Sequence, residues 1–258
     1  MKKICKPAII AFIISVVFIA CKNEEDKTET TTDTATSTTT ASTDATSQSQ
    51  VIDAVTAAPN LYKVAKDSMG IRVLNVEYKP GDSSAMHSHP DNALYVIDGG
   101  KGEFTAKDGS KQTAEFTPGM TMISGAETHS VKNIGTTTVR AILVEVNRPN
   151  QAANAHDVAL DATKVASKFY KLAQDSLNMR IVMVNYKPGE TSALHSHPDL
   201  AMYVLTASKA EFTAKDGTKR LMTLDKGMVA VVPADSHSVK NVGSTIAKVV
   251  LIEVNRPK

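Results

Sequence analysis

His87-Ser88-His89-Pro90-Asp91 recurs as His195-Ser196-His197-Pro198-Asp199. Some forty residues after each copy stands a lone histidine in matching surroundings, Thr128-His129-Ser130-Val131-Lys132-Asn133 and Ser236-His237-Ser238-Val239-Lys240-Asn241. Residues two apart in a β-strand point to the same side. His-x-His therefore presents two imidazoles on one face, and a third from a neighbouring strand completes a three-nitrogen set. Neutral imidazole is the commonest biological metal ligand and suits zinc, copper, iron and nickel. A single His-x-His is equally compatible with histidines that only satisfy core hydrogen bonds. Here six of the seven histidines form two matching sets of three, with His156 alone outside them, and that favours metal.

The match extends well beyond the histidines. Tyr62 pairs with Tyr170, Gly119 with Gly227 and Arg148 with Arg256, all 108 residues apart, with no insertion between Leu61 and Pro149. A repeat of this length is a duplicated domain and not a short solenoid unit. The expected boundaries are residues 60–149 and 168–258, joined by a linker, 150–167, that holds a short helix.

Each copy reads as all-β. Arg72 to Tyr78 places Leu74, Val76 and Tyr78 on one face, and Lys79-Pro80-Gly81-Asp82 ends that strand. Ala93 to Ile97 is a short apolar strand. Glu103 to Ala106 turns back through Lys107-Asp108-Gly109, whose Asp-Gly suits a tight primed hairpin turn. Thr117-Pro118-Gly119 is a further turn, and Thr137 to Val146 closes the unit. Short strands with turns every eight to twelve residues predict a sandwich or barrel. A copy of about ninety residues is small, which favours burial between the two. Arg72 with Glu145, and Arg180 with Glu253, are candidate ion pairs.

Ahead of the repeats, residues 1–20 read as an export signal. Lys2, Lys3 and Lys6 precede an uncharged apolar run, Ala8 to Ala20. The run falls short of the roughly 20 apolar residues that span a membrane. Phe18-Ile19-Ala20-Cys21 resembles a bacterial lipobox, with Cys21 as the residue that receives lipid. Lys22-Asn23-Glu24-Glu25-Asp26 resembles the acidic export signal of surface lipoproteins in some Gram-negative bacteria. The other cysteine, Cys5, leaves with the signal, so the mature domains hold no disulfide although the compartment permits one. Losing three lysines takes the basic count from 29 to 26 against 27 acids, which leaves no basic footprint for nucleic acid. Residues 21–59 are rich in Thr and Ser, and from Thr28 to Gln50 they contain no aromatic or large aliphatic residue, the composition of a disordered tether. Such a tether has an r.m.s. reach of roughly 35 Å.

The two copies resemble the cupin family. Its first motif runs Gly, five residues, His-x-His, three or four residues, Glu, six residues, Gly. Gly81 to His89 and Gly189 to His197 match its opening. Its second motif runs Gly, five residues, Pro-x-Gly, two residues, His, three residues, Asn. Gly119 to Asn133 and Gly227 to Asn241 follow it, one residue shorter before the histidine and with Gly125 in place of the proline in the first copy. The resemblance implies two tandem barrels of jelly-roll type, a bicupin. It implies metal ligands at His87, His89 and His129, and at His195, His197 and His237. The usual glutamate falls at Ala93 and Ala201, so the fourth ligand is missing from both copies. Asp91 and Asp199 are poor substitutes, because the intervening proline turns the strand. If Ala93 points inward, so does Tyr95, and likewise Tyr203. Each phenol is then either an acid near the ion or a barrel-filling side chain with its hydroxyl satisfied.

Cupins include oxygenases, isomerases, lyases, sugar-binding domains and regulators, so the fold does not select a function. The expectation is a divalent transition metal, with zinc, iron, copper, nickel and manganese all open, in a lipoprotein of the outer membrane or cell surface. A small molecule is the expected partner, as substrate of a metal-dependent enzyme (dioxygenase-like or otherwise) or as ligand of a non-catalytic binding protein. A homodimer stays open.

Overall fold

Alternation of β-branched and polar residues between glycine and proline turns makes each copy a set of nine antiparallel strands. The computed structural model describes residues 52–147 and 156–254. In the first copy the strands are β1 Tyr62–Ser68, β2 Ile71–Tyr78, β3 His87–His89, β4 Asn92–Asp98, β5 Gly100–Ala106, β6 Lys111–Phe116, β7 Thr121–Ser124, β8 Glu127–Asn133 and β9 Val139–Val146. The second copy repeats them as β10 Tyr170–Ser176, β11 Met179–Tyr186, β12 His195–His197, β13 Leu200–Thr206, β14 Ser208–Ala214, β15 Lys219–Leu224, β16 Val229–Val232, β17 Asp235–Asn241 and β18 Ala247–Val254. The Asp108-Gly109 turn joins β5 to β6 as expected, with Gly109 at φ +83°.

The closed jelly-roll barrel expected from the resemblance is not what forms. Each copy holds two open sheets, ordered β1-β2-β9-β4-β7 and β3-β8-β5-β6, then β10-β11-β18-β13-β16 and β12-β17-β14-β15. No ladder joins the two sheets of a copy, so the all-β, antiparallel reading holds while the barrel does not. The cause lies in the connections. Pro90 carries the chain from β3 in one sheet to β4 in the other, and Pro198 does the same between β12 and β13. Proline has no N–H to continue a ladder, so the strands change sheets at these points without hydrogen bonding around the corner.

The central strands of the five-stranded sheets are buried on both faces. On β9, Val139, Ala141 and Leu143 pack inward with Leu74, Val76 and Tyr78 of β2. The alternate residues Ile142, Val144 and Val146 join a second core with Ile71, Val73, Ala93 and Tyr95. That core is shared with Met179, Ile181, Ala201, Tyr203, Val250 and Ile252 of the other copy. Burying each large aliphatic side chain there contributes about 1.5–3 kcal/mol. The two copies thus pack back to back through these sheets, leaving the inner face of each sheet for the site.

A short helix precedes each copy, α1 (Ala54–Ala57) and α2 (Ala162–Val165), capped by Asp53 and Asp161. Each cap residue also bridges the histidine strand, at Ser88 and Ser196. The 108-residue equivalence therefore extends upstream of Leu61, and α1 occupies the end of the segment expected to be a tether. The export signal, Cys21 and the tether as far as residue 51 lie outside the described residues, as do Arg148 and Arg256.

Candidate metal centres

Antiparallel register brings the histidines together. β3 pairs with β8 so that His87 lies directly opposite His129, and His89 projects from the same face as His87. The ring centroids are 4.8 Å apart for His87 and His89, 5.0 Å for His87 and His129, and 5.3 Å for His89 and His129. In the second copy His195 lies opposite His237, and the three separations are 5.0, 4.9 and 5.5 Å. Within each cluster one nitrogen from every ring lies within 4.8 Å of the others. All six histidines predicted from the sequence are thereby gathered into two clusters able to coordinate a divalent transition metal.

The outer nitrogens fix which tautomer faces inward. Nδ1 of His87 lies 2.7 Å from the Ala85 carbonyl, and Nδ1 of His195 lies 2.8 Å from that of Ala193. Nδ1 of His89 meets Glu145 Oε1 at 2.7 Å, and Nδ1 of His197 meets Glu253 Oε1 at 2.6 Å. Nδ1 of His129 faces Glu127 at 3.5 Å, and Nδ1 of His237 faces Asp235 at 3.2 Å. Five of the six Nδ1 atoms thus have a hydrogen-bond acceptor and that of His129 faces a carboxylate, an arrangement that leaves Nε2 as the ligating nitrogen. Nε2 of His195 is buried with no hydrogen-bond partner, a costly state that a metal ion relieves. The donor set therefore fits the ion. Burial, the largest influence, pushes the pKa of His87 down to about 4 and that of His195 to about 3, and lowers that of His237. The neutral form, which ligates, is the one these sites favour.

Behind each cluster runs a chain of charge built on a buried glutamate. Glu145 and Glu253 are both 0% exposed. Arg72 Nε donates to Glu145 Oε2 at 2.6 Å, and the same guanidinium pairs with Asp53. In the second copy Arg180 reaches Glu253 at 2.9 Å and Asp161 at 2.7 Å. Burial works against ionisation of Asp53, but its bonds to Arg72 and to the α1 backbone outweigh this and hold the carboxyl below its usual range. The Arg–Glu pairs expected from the sequence are thus the inner part of a relay, Asp–Arg–Glu–His, that orients one ligand in each copy.

Other expectations require correction. Tyr95 and Tyr203 are not brought to the clusters; they lie in the core between the copies. Ala93 and Ala201 share that face. The inward positions on β4 and β13 are Leu94 and Met202, one residue later, which line the cavities beside the histidines. The four-residue spacing of the first cupin motif therefore applies, and an apolar side chain stands where the family's glutamate would. Asp91 and Asp199 instead accept from the backbone N–H groups of Ala126 and Ala234, at 3.1 and 2.8 Å. The phenols near the clusters are Tyr62 and Tyr170. The Tyr62 hydroxyl lies 3.2 Å from His87 Nε2 and accepts from the Tyr78 hydroxyl at 2.9 Å. Tyr170 packs at 4.7 Å against the His195 ring. Burial raises the pKa of both phenols, so they remain protonated. Asn133 and Asn241, the closing residues of the second motif, are structural: each donates at 2.8 Å to the carbonyl that ends β2 or β11, at Tyr78 or Tyr186, and at 2.8 Å to the loop carbonyl of Thr137 or Thr245.

Comparison with known proteins follows the same lines. A family model described as a cupin domain matches residues 74–145. No curated protein sequence matches the chain. Oxalate decarboxylase from Bacillus subtilis, in a structure concerned with its Mn(II) centres, is 16% identical with a TM-score of 0.50, over 74% of this chain and 70% of that one. A variant of the same enzyme gives 15% identity and 0.51, over 73% and 70%. A cupin 2 conserved barrel domain protein from Leptotrichia buccalis is 15% identical with a TM-score of 0.44, over 76% of this chain and 88% of that one. At these identities the likeness to oxalate decarboxylase shows a shared fold. Residues 74–145 match a cupin domain, and the second copy repeats their fold and their three-histidine cluster.

Proposed function

We propose that this protein is a metal-binding bicupin whose six clustered histidines hold one divalent transition metal per copy, with a small molecule as ligand or substrate at the positions the histidines leave open. The observation that carries this reading is the unpartnered, buried Nε2 of His195 among Nε2 atoms whose rings are all anchored through Nδ1. An ion held by three neutral imidazoles keeps its full charge, can polarise a carbonyl or lower the pKa of bound water, and retains open positions. The chain's own residues then have defined tasks. Glu145 and Glu253 keep His89 and His197 in the ligating tautomer. Tyr62 and Tyr170 present protonated phenols at the cluster edge. The apolar side chains Leu94 and Met202 exclude water.

Two readings of the activity follow. Catalysis on a small extracytoplasmic molecule, dioxygenase-like or otherwise, uses the open positions for chemistry. A non-catalytic binding role is favoured by the carboxylates nearest the cavities, Glu127 and Asp235, which already serve His129 and His237. In either case the lipobox-like segment supports anchoring through Cys21 on an outer membrane. Titration of metal-free protein with cobalt(II) tests the metal reading. Visible absorption of a nitrogen-ligated ion should saturate at two equivalents per chain. A spectrum identical to free cobalt throughout would overturn it. An oxygen-uptake and product screen of the loaded protein then separates the enzyme from the binder.

A further inference from the structure

The two copies keep the same cluster but not the same cavity. In the first, the space in front of the histidines is about 80 Å³. In the second it is about 550 Å³, within the roughly 300–1,000 Å³ of small-molecule sites. Two substitutions act in that direction, against the larger Met222 and Met202 that stand where the first copy has Ala114 and Leu94. Phe116 lies over Gly102 in the first copy, so closely that a β-carbon added to the glycine would come within 2.9 Å of the ring. Its counterpart is the smaller Leu224, packed against Ala210. Met122, which lines the first cavity, is replaced by Ala230 in the second. The charge at the mouth differs too. Arg220 lines the second cavity with its guanidinium carbon 5.9 Å from the centroid of the Phe212 ring. Phe212 in turn meets the His237 ring edge-on at 5.3 Å. Among the described residues no carboxylate forms an ion pair with Arg220. The nearest acidic lining residue, Asp235, is turned to His237 and to the backbone of Ser236. The counterpart of Arg220 is Gln112, which is uncharged and does not line the first cavity.

We propose that the second copy alone is the ligand-binding copy and that its ligand is a small amphipathic carboxylate. The apolar body lies against Met202, Met222 and Val232, and the carboxylate is held by Arg220 at the mouth. A guanidinium matches a carboxylate with two parallel hydrogen bonds, and the apolar lining rejects a ligand that is polar all round. The first copy, filled by Phe116 and Met122, keeps its cluster without room for the same ligand. This inference rests on the metal reading only in making the second cluster the working one, and the two can fail separately.

Calorimetric titration of the full chain with benzoate, and with benzamide as an uncharged analogue of the same shape, tests it. Metal content is measured on the same samples. One benzoate per chain is expected, with Arg220→Gln weakening it about tenfold or more and leaving the weaker benzamide binding unchanged. Ala230→Met, which restores the first copy's residue, should weaken both. Two equivalent benzoate sites per chain, or benzoate affinity indifferent to Arg220→Gln, would overturn the inference. If benzoate ignores Arg220 while two ions remain bound, this inference alone is lost. If benzoate binding depends on Arg220 in a protein that takes up no metal, the carboxylate site stands and the metal reading falls.

Discussion

Nδ1 of His89 donates to Oε1 of Glu145 at 2.7 Å, across 56 residues of sequence and between two strands of different sheets. That one bond links the cluster to the half-buried Arg72 and holds the imidazole in its ligating tautomer. Glu253 and His197 repeat it at 2.6 Å.

Glu145→Gln should therefore weaken metal binding at the first site alone, by about 10–100-fold. Competition with a chelator of graded strength would show one ion leaving early and one as in the wild type. Simultaneous release of both ions would contradict separate sites.

Acid should destabilise the metal-free protein through the buried histidines. The folded-state pKa is about 4 for His87 and about 3 for His195, below the ordinary 6.5. Between these values the unfolded chain binds protons that the folded chain does not. Stability is thus fully present above about 6.5 and declines as pH falls from there toward about 4. Denaturant midpoints of metal-free protein should fall more steeply across this window in the wild type than in His195→Asn. Equal slopes would refute the assignment.

A carboxylate added at position 93 should not reach the ion, because Ala93 faces the core between the copies. Ala93→Glu should cost several kcal/mol and melt at the same lowered temperature with or without manganese. Leu94→Glu faces the cluster instead, so manganese should raise its melting temperature well above that of its metal-free form. Rescue of Ala93→Glu by manganese would reverse this placement.

Cys21→Ser should release the protein from membrane fractions, since Cys21 ends the apolar run and a polar segment rich in Thr and Ser follows. A wild-type protein already fully soluble after export would contradict lipid anchoring.

Much of the site could be read from the sequence because it is local. The period of two put His87 and His89 on one face, and the 108-residue repeat supplied matched third histidines. The inward face of Leu74, Val76 and Tyr78 and the Asp108-Gly109 hairpin were equally local. Long-range relations were harder. Nothing near Tyr62 announces that its hydroxyl lies 3.2 Å from His87. Asp53 and Asp161 did carry a signal, since they obey the 108-residue spacing upstream of Leu61, but a polar residue before a short helix reads first as a cap. The placement of Ala93 turned on a single residue of motif spacing, and in a strand one residue exchanges the two faces. Closure of the sheets is a matter of which edges hydrogen-bond, and strand count and turn spacing are silent on that.

The most direct test is the metal content of protein purified without an affinity tag, by elemental analysis, for the wild type, His87→Ala, His195→Ala and the double variant. Two ions per chain are expected in the wild type, one in each single variant and none in the double. A wild-type protein without metal, or a single variant that loses both ions, would contradict the account of two independent three-histidine centres.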